Sequence, residues 1–261
     1  MLPRRAIGLP VDGGVLGRIV PRTLVGVFLL LWAAEWYVAI SSQGALAAMG
    51  TDYRTYMDAA RAWLAGGSFY PARELAGPYQ IELGAVLYPP IALVLFVPFT
   101  VLPAPLWSLS PAVILAAVVW HHRPAPWTWV VIAACLALGP VTTMAYWYGT
   151  PTIWMAAFLA LASVYSWPGV LVLLKPAIFP FAIVGIGDRR WWIAAAVLGL
   201  VSLALLPMWV DWFRVLLNAR GPRANLLYAF SDLPLMAIPL AAWLGGRAGQ
   251  NPGRLAFPTF R

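Results

Sequence analysis

The chain has 261 residues, of which 62% are hydrophobic and only 10% charged, and its formal net charge is +8. Runs of roughly 18 or more mostly apolar residues recur along its length, which excludes a water-soluble globular enzyme and indicates an all-α, polytopic transmembrane helical bundle. Backbone polar groups in hydrocarbon must be paired within their own segment, so these runs are helices, and their length also excludes a barrel of short alternating strands.

In chain order, a segment 1–22 carrying Arg4, Arg5, Arg18 and Arg22 precedes a first span at about 23–40, where Glu35 stands among Trp32, Trp36 and Tyr37. Ala45-Leu46-Ala47 resembles a signal cleavage site, but the apolar core exceeds a usual signal sequence and reads as an uncleaved anchor. In the loop 41–85, Tyr53, Tyr56, Met57, Ala60, Trp63 and Leu64 fall at helical spacing on one face, with Arg54, Thr55, Asp58 and Arg61 on the other. This predicts an amphipathic juxtamembrane helix that starts at Thr51 or Asp52, stops at Gly66-Gly67 and lies on the membrane surface. Asp52 suits its N-cap, a role that leaves a carboxylate oxygen open to a substrate.

Further spans are expected at about 86–103, 106–120, 127–148, 152–166, 169–187, 191–208 and 226–244, making about eight in one membrane domain, 1–261. The first two of these contain Pro89, Pro90, Pro98, Pro103, Pro105 and Pro111, so short, kinked or re-entrant helices are open alternatives. The basic residues form no stripe, and acidic lipid headgroups account for them better than nucleic acid does. Arginine bias puts both termini, 1–22 and the tail 245–261, together with Arg189-Arg190, on the cytoplasmic side of what reads as a bacterial cytoplasmic membrane. The loop 41–85 is then extracytoplasmic, and Arg54, Arg61, Arg73, Arg123, Arg214, Arg220 and Arg223 fall on its side, the first three offset by Asp52, Asp58, Glu74 and Glu82.

Charge inside a membrane needs a reason. Glu35, Lys175 and Asp232 each lie near the outward end of a span, roughly 8–10 Å deep at 1.5 Å per residue. Each either snorkels or pairs for structural reasons, or belongs to a polar cavity to which Asp58 could also contribute. Pro176 frees a carbonyl beside Lys175, which suggests a helix interrupted to hold a polar ligand. Arg214, Arg220 and Arg223 in 209–225 are placed either to clamp a phosphate or to meet lipid headgroups. His121-His122 has no partners at metal-ligand spacing, Cys135 is a lone thiol, and no Walker loop, dinucleotide fingerprint, nucleophile elbow or zinc motif occurs, so no metal or cofactor is expected.

Three blocks follow one another in a familiar order: Asp52-Tyr53 with Tyr56, Ala59-Ala60, Gly66-Gly67 and Tyr70; Tyr88-Pro89-Pro90 with Pro98 and Leu102-Pro103; and Pro168-Gly169 through Lys175-Pro176, then Arg189-Arg190. This pattern resembles glycosyltransferase family 87 of the GT-C superfamily, which includes polyprenyl-phosphate-mannose-dependent α-mannosyltransferases. The resemblance implies transfer of a sugar, usually mannose, from a polyprenyl monophosphate to a hydroxyl of a glycan or glycolipid on the extracytoplasmic face, with inversion. It assigns Asp52 as general base and makes Lys175, Tyr56, Tyr88 and the outer arginines candidates for substrate contacts. Gly149-Thr150-Pro151 stands where many members carry a Gly-Gln pair, and members are commonly longer. A non-catalytic homologue that binds polyprenyl-phosphate lipid or scaffolds envelope assembly is therefore a rival expectation, and a transporter a weaker one because no inverted repeat is visible.

Overall fold

The apolar run after Arg22 forms part of one long helix in the computed structural model, which describes residues 15–42, 45–82, 84–137, 141–221 and 230–246. That helix, α1 (Val15–Ser41), contains the stretch Ile19–Ser41, long and apolar enough to cross a membrane. Short α2 (Ala45–Ala48) leads into the amphipathic α3 (Thr51–Leu64), α4 (Ala72–Ala76) and a two-residue strand β1 (Tyr79–Gln80). A 3-10 turn at Pro90–Ala92 opens α5 (Leu93–Phe99), followed by α6 (Pro105–His122), α7 (Pro126–Ala137), α8 (Val141–Tyr148) and α9 (Thr152–Ala162). Two 3-10 helices, Trp167–Leu174 and Pro176–Ile183, form a hairpin before α10 (Arg189–Ala204), α11 (Leu206–Asn218), β2 (Ala219–Arg220) and α12 (Leu233–Leu244). The chain is thus mostly helical. The pairs α7–α8 and α10–α11, bent by 61° and 84°, bring the membrane-capable spans to three if each counts as one.

Three expectations change. Asp52 does not cap α3: Gly50 takes that position in the left-handed region (φ 69°), Thr51 Oγ1 donates to Ala48 O at 2.7 Å, and Asp52 falls in the first turn. There the helix dipole favours a negative charge. Second, the middle of the apolar face of α3 packs against protein, while Leu64 at its end is exposed. Tyr56, Met57 and Ala60 are buried, and the Tyr56 ring stacks on Phe96 of α5 at 4.9 Å. Third, the segment 86–103 forms no single long helix, because prolines split it and leave α5 seven residues long beside α3.

Contacts at the helix ends define two ends of the bundle. At one, Gly50 N donates to Trp147 O at 2.8 Å and Trp107 Nε1 to Gly149 O at 2.7 Å. Gly149 has φ 68°, and a Cβ there would sit 3.1 Å from the Tyr53 Cβ, so the turn requires glycine. At the other end, His122 Nε2 lies 2.7 Å from Ser163 Oγ, and Pro124 bridges to Gly246. Because Ser163 Oγ donates to Ala160 O at 2.6 Å, the His122 ring nitrogen is the donor in that pair. The turn holding Arg123 therefore lies at the same end as residues 245–246 and not opposite them, as arginine counting suggested. The difference begins at α5: the apolar helix Pro90–Phe99 is short, and α6 runs from the end that holds Gly149 to the end that holds Gly246.

In a bilayer, a single cysteine at Arg123 and one at Ser68, each in a Cys135→Ser background, should react with a membrane-impermeant thiol reagent from opposite sides. Labelling of both from one side would contradict this arrangement of ends.

Candidate functional site

Pro176 dictates the local geometry at the centre of the cavity-bearing end. It has no N–H and restricts the preceding residue to extended conformations. Lys175 accordingly sits at φ −122°, ψ 92° between the two 3-10 helices. Its ammonium donates to Asp232 Oδ2 at 2.6 Å and to Thr152 Oγ1 at 2.7 Å, and lies 5.9 Å from the centre of the Tyr88 ring. The pair is buried, with side chains 7% and 11% exposed. Lys175 is the one lysine in a chain that uses arginine for every other permanent cation.

A cavity of about 740 Å³ opens beside this pair. Asp52 and Tyr56 line it from α3; Glu82, Leu87 and Tyr88 from the segment before α5; and Thr150, Pro151 and Thr152 from the turn into α9. Lys175, Ser231 and Asp232 close the far side. Val141, Met144, Ala145 and Tyr148 of α8 complete it at the spacing of one helical face. Asp52, Tyr56, Tyr88, Lys175 and Asp232 thus share a single cavity, although they come from four separate stretches of chain. The lining carries three carboxylates, Asp52, Glu82 and Asp232, with Lys175 as the one cation among its described residues.

The irregular segment 85–88 that forms one wall has no sheet partner, and side chains take up several of its backbone groups. Tyr56 Oη donates to Ala85 O at 3.4 Å, Val86 N donates to Glu74 Oε1 at 3.2 Å, Trp212 Nε1 to Leu87 O at 3.0 Å, and Tyr70 Oη to Tyr88 O at 3.0 Å. Glu74 is fully buried, and Asn218 Nδ2 donates to its backbone carbonyl at 2.9 Å. Burial pushes the Glu74 carboxyl above the usual carboxylate range, opposed by the Val86 amide and then by Arg73. Burial, with help from Asp211 and Glu74, also pushes the Tyr70 phenol up, and the neutral hydroxyl donates to Tyr88 O.

Other expected contributors lie elsewhere. Glu35 accepts from Thr143 Oγ1 at 2.9 Å, on the far face of α8, and Asp58 pairs with Arg61 at 2.9 Å in solvent. Neither lines the cavity. Arg214 pairs with Asp211 at 3.4 Å, while Arg220 donates to Leu217 O and Ala219 O, so these two arginines cap and flank α11 and do not reach the cavity. Arg223 lies outside the described residues. Residues the motifs did not flag include Thr152, Tyr148, Glu82, Ser231 and the wall-bracing Glu74. Thr152 was the most accessible of these, since Pro151 before it marks a helix start at the position where the family resemblance departs.

Comparison of the chain with protein-family models, with curated proteins and with solved structures finds no match in any of the three.

Removing one partner of a buried ion pair leaves an uncompensated charge. Asp232→Ala should cost about 3–5 kcal/mol of stability in detergent, and Lys175→Met with Asp232→Leu should recover most of it. For Glu74, the folded carboxyl holds its proton more tightly than the unfolded one, so its contribution is complete in acid and falls as pH rises through the raised value. Glu74→Gln should therefore flatten the melting temperature between the ordinary carboxylate range and neutrality. Glu74→Ala, which leaves the Val86 amide unpaired, should lose about 1–3 kcal/mol at any pH.

Proposed function

We propose that the chain is an integral-membrane glycosyltransferase that moves a sugar, mannose by the family resemblance, from a polyprenyl monophosphate to a hydroxyl of a glycan or glycolipid. The observation that carries this reading is the convergence of Asp52, Tyr56, Tyr88 and Lys175 on one cavity of about 740 Å³. Asp52 takes the proton from the acceptor hydroxyl as its oxygen attacks the anomeric carbon. The bond from that carbon to the phosphate oxygen breaks, its electron pair leaves with the polyprenyl phosphate, and the anomeric configuration inverts.

Charge at the departing phosphate is met by Lys175, which exchanges part of its contact with Asp232 for a phosphate oxygen. The remaining carboxylates suit the sugar, because ionised carboxylates accept hydrogen bonds from several hydroxyls. Tyr56 and Tyr88 offer ring faces and edges against which a pyranose can lie. No nucleotide or metal enters this scheme.

For the membrane arrangement, we propose eight crossings by α1, α6, α7–α8, α9, the two arms of the 3-10 hairpin, α10 and α12. Both termini then lie on the cytoplasmic side with Arg123, Arg189 and Arg190, and the cavity opens on the other, within reach of a lipid-borne donor. Moving Arg123 to the arginine-rich end strengthens the positive-inside bias. A second reading, a homologue that binds the same lipid without turnover, is favoured by Thr150-Pro151 at the cavity where the family resemblance departs.

With labelled polyprenyl-phosphate mannose and an envelope-lipid extract as acceptor, purified protein in vesicles should transfer sugar. Asp52→Asn should lose about 10²–10⁴-fold in rate with its melting temperature retained. Donor binding without transfer by the parent protein would select the second reading, and full activity in Asp52→Asn would remove the base.

A further inference from the structure

The two sides of α11 are both apolar. Met208, Trp212 and Val215 turn toward the protein, where Val215 is fully buried and Trp212 holds Leu87 O. Leu206, Val210, Phe213 and Leu217 are 53–73% exposed. At 3.6 residues per turn these four form a narrow ridge on the side away from Met208, Trp212 and Val215. The helix leaves α10 at 84°, and the exposed Val197, Leu200 and Leu203 of α10 carry an apolar exterior up to the bend. The ridge continues that exterior. Trp209, Trp212 and Phe213 form an aromatic cluster at ring separations of 5.2 and 5.1 Å, of the kind that collects at the boundary between headgroups and acyl chains. Arg214 stands exposed on the flank of the ridge.

We infer that α11 is an interfacial helix: its ridge seats in the bilayer leaflet on the cavity side, Arg214 reaches a lipid phosphate, and this seating sets the position of the cavity wall. The coupling follows from two hydrogen-bonding side chains of α11. Trp212 bonds the backbone of Leu87, which lines the cavity, and Asn218 bonds the carbonyls of Glu74 and Leu75 at 2.9 and 3.3 Å. The bilayer is the occupant rather than a second copy, because a four-residue ridge is small against the roughly 800 Å² per partner of a stable interface. Amphipathic helices with an apolar face and a basic flank bind lipid surfaces in this orientation. The inference rests on α10 as a crossing helix and not on the transfer chemistry, so it stands or falls apart from the proposed reaction.

Spin labels at Val210→Cys, Phe213→Cys, Leu217→Cys and Arg214→Cys, each in a Cys135→Ser background, test it in vesicles of phosphatidylcholine and phosphatidylglycerol. The three ridge labels should collide with oxygen in preference to a water-soluble nickel complex, at a depth of about 5–10 Å, and the label at 214 should show the reverse. Ridge labels open to the nickel complex would overturn the proposal, as would spin–spin broadening that grows with the protein-to-lipid ratio, which marks a second copy on the ridge. The coupling is read from the rate at which a water-soluble thiol reagent modifies Leu87→Cys. Trp212→Phe, and separately Phe213→Ser with Leu217→Ser, should raise that rate several-fold, whereas an unchanged rate in both would sever the cavity wall from the lipid contact.

Discussion

An ammonium and a carboxylate held 2.6 Å apart away from water constrain more of this fold than any other contact. Desolvating two ions is expensive, and a buried pair of this kind adds little net stability compared with an apolar replacement. What it fixes is geometry. Lys175 can reach Asp232 only if Pro176 breaks the hairpin at that level, if α9 begins at Thr152, and if α12 begins directly after Asp232. Slippage of α12 by one turn would strand both charges. The pair therefore sets the depth of three elements relative to one another, and the cavity forms where their ends meet.

The wall opposite is built on a different principle. Segment 85–88 is irregular and has no neighbouring strand, and buried backbone groups are costly to leave unpaired. Side chains from α3, from α4 and the turn before it, and from α11 replace the missing ladder. Helices thus do for this wall what a sheet would do elsewhere. The arrangement also explains why an acid, Glu74, is buried outside the cavity: it is needed for the Val86 amide and not for a ligand.

Local chemistry was legible in the sequence and spatial order was not. The helix Thr51–Leu64, its stop near Gly66 and the break at Lys175-Pro176 follow from periodicity and from proline's missing N–H, both of which are local properties. That Lys175 and Asp232 pair depends on the path of the chain across a sequence separation of 57, and nothing local reports it. Asp52 read as a cap because aspartate before an apolar face usually is one; Gly50 took the role instead, since its left-handed φ is cheap only for glycine. The arginines of 209–225 looked like phosphate ligands by composition. Arg214 and Arg220 proved to lie outside the cavity, beside Asp211 and helix-end carbonyls, which leaves lipid headgroups as the alternative for the exposed Arg214. Hydropathy also read 86–103 as one continuous run, whereas its prolines leave a seven-residue α5 that packs beside α3.

The separation of Lys175 from Asp232 also bears on biogenesis. Translation delivers the lysine 57 residues ahead of its counter-ion. During that interval the lysine lacks the carboxylate it holds at 2.6 Å in the finished fold. Docking of α12 ends it. Completion of the buried ion pair and arrival of the last described helix are consequently one event, and a ribosome that stops short of Asp232 releases a product whose Lys175 lacks that partner.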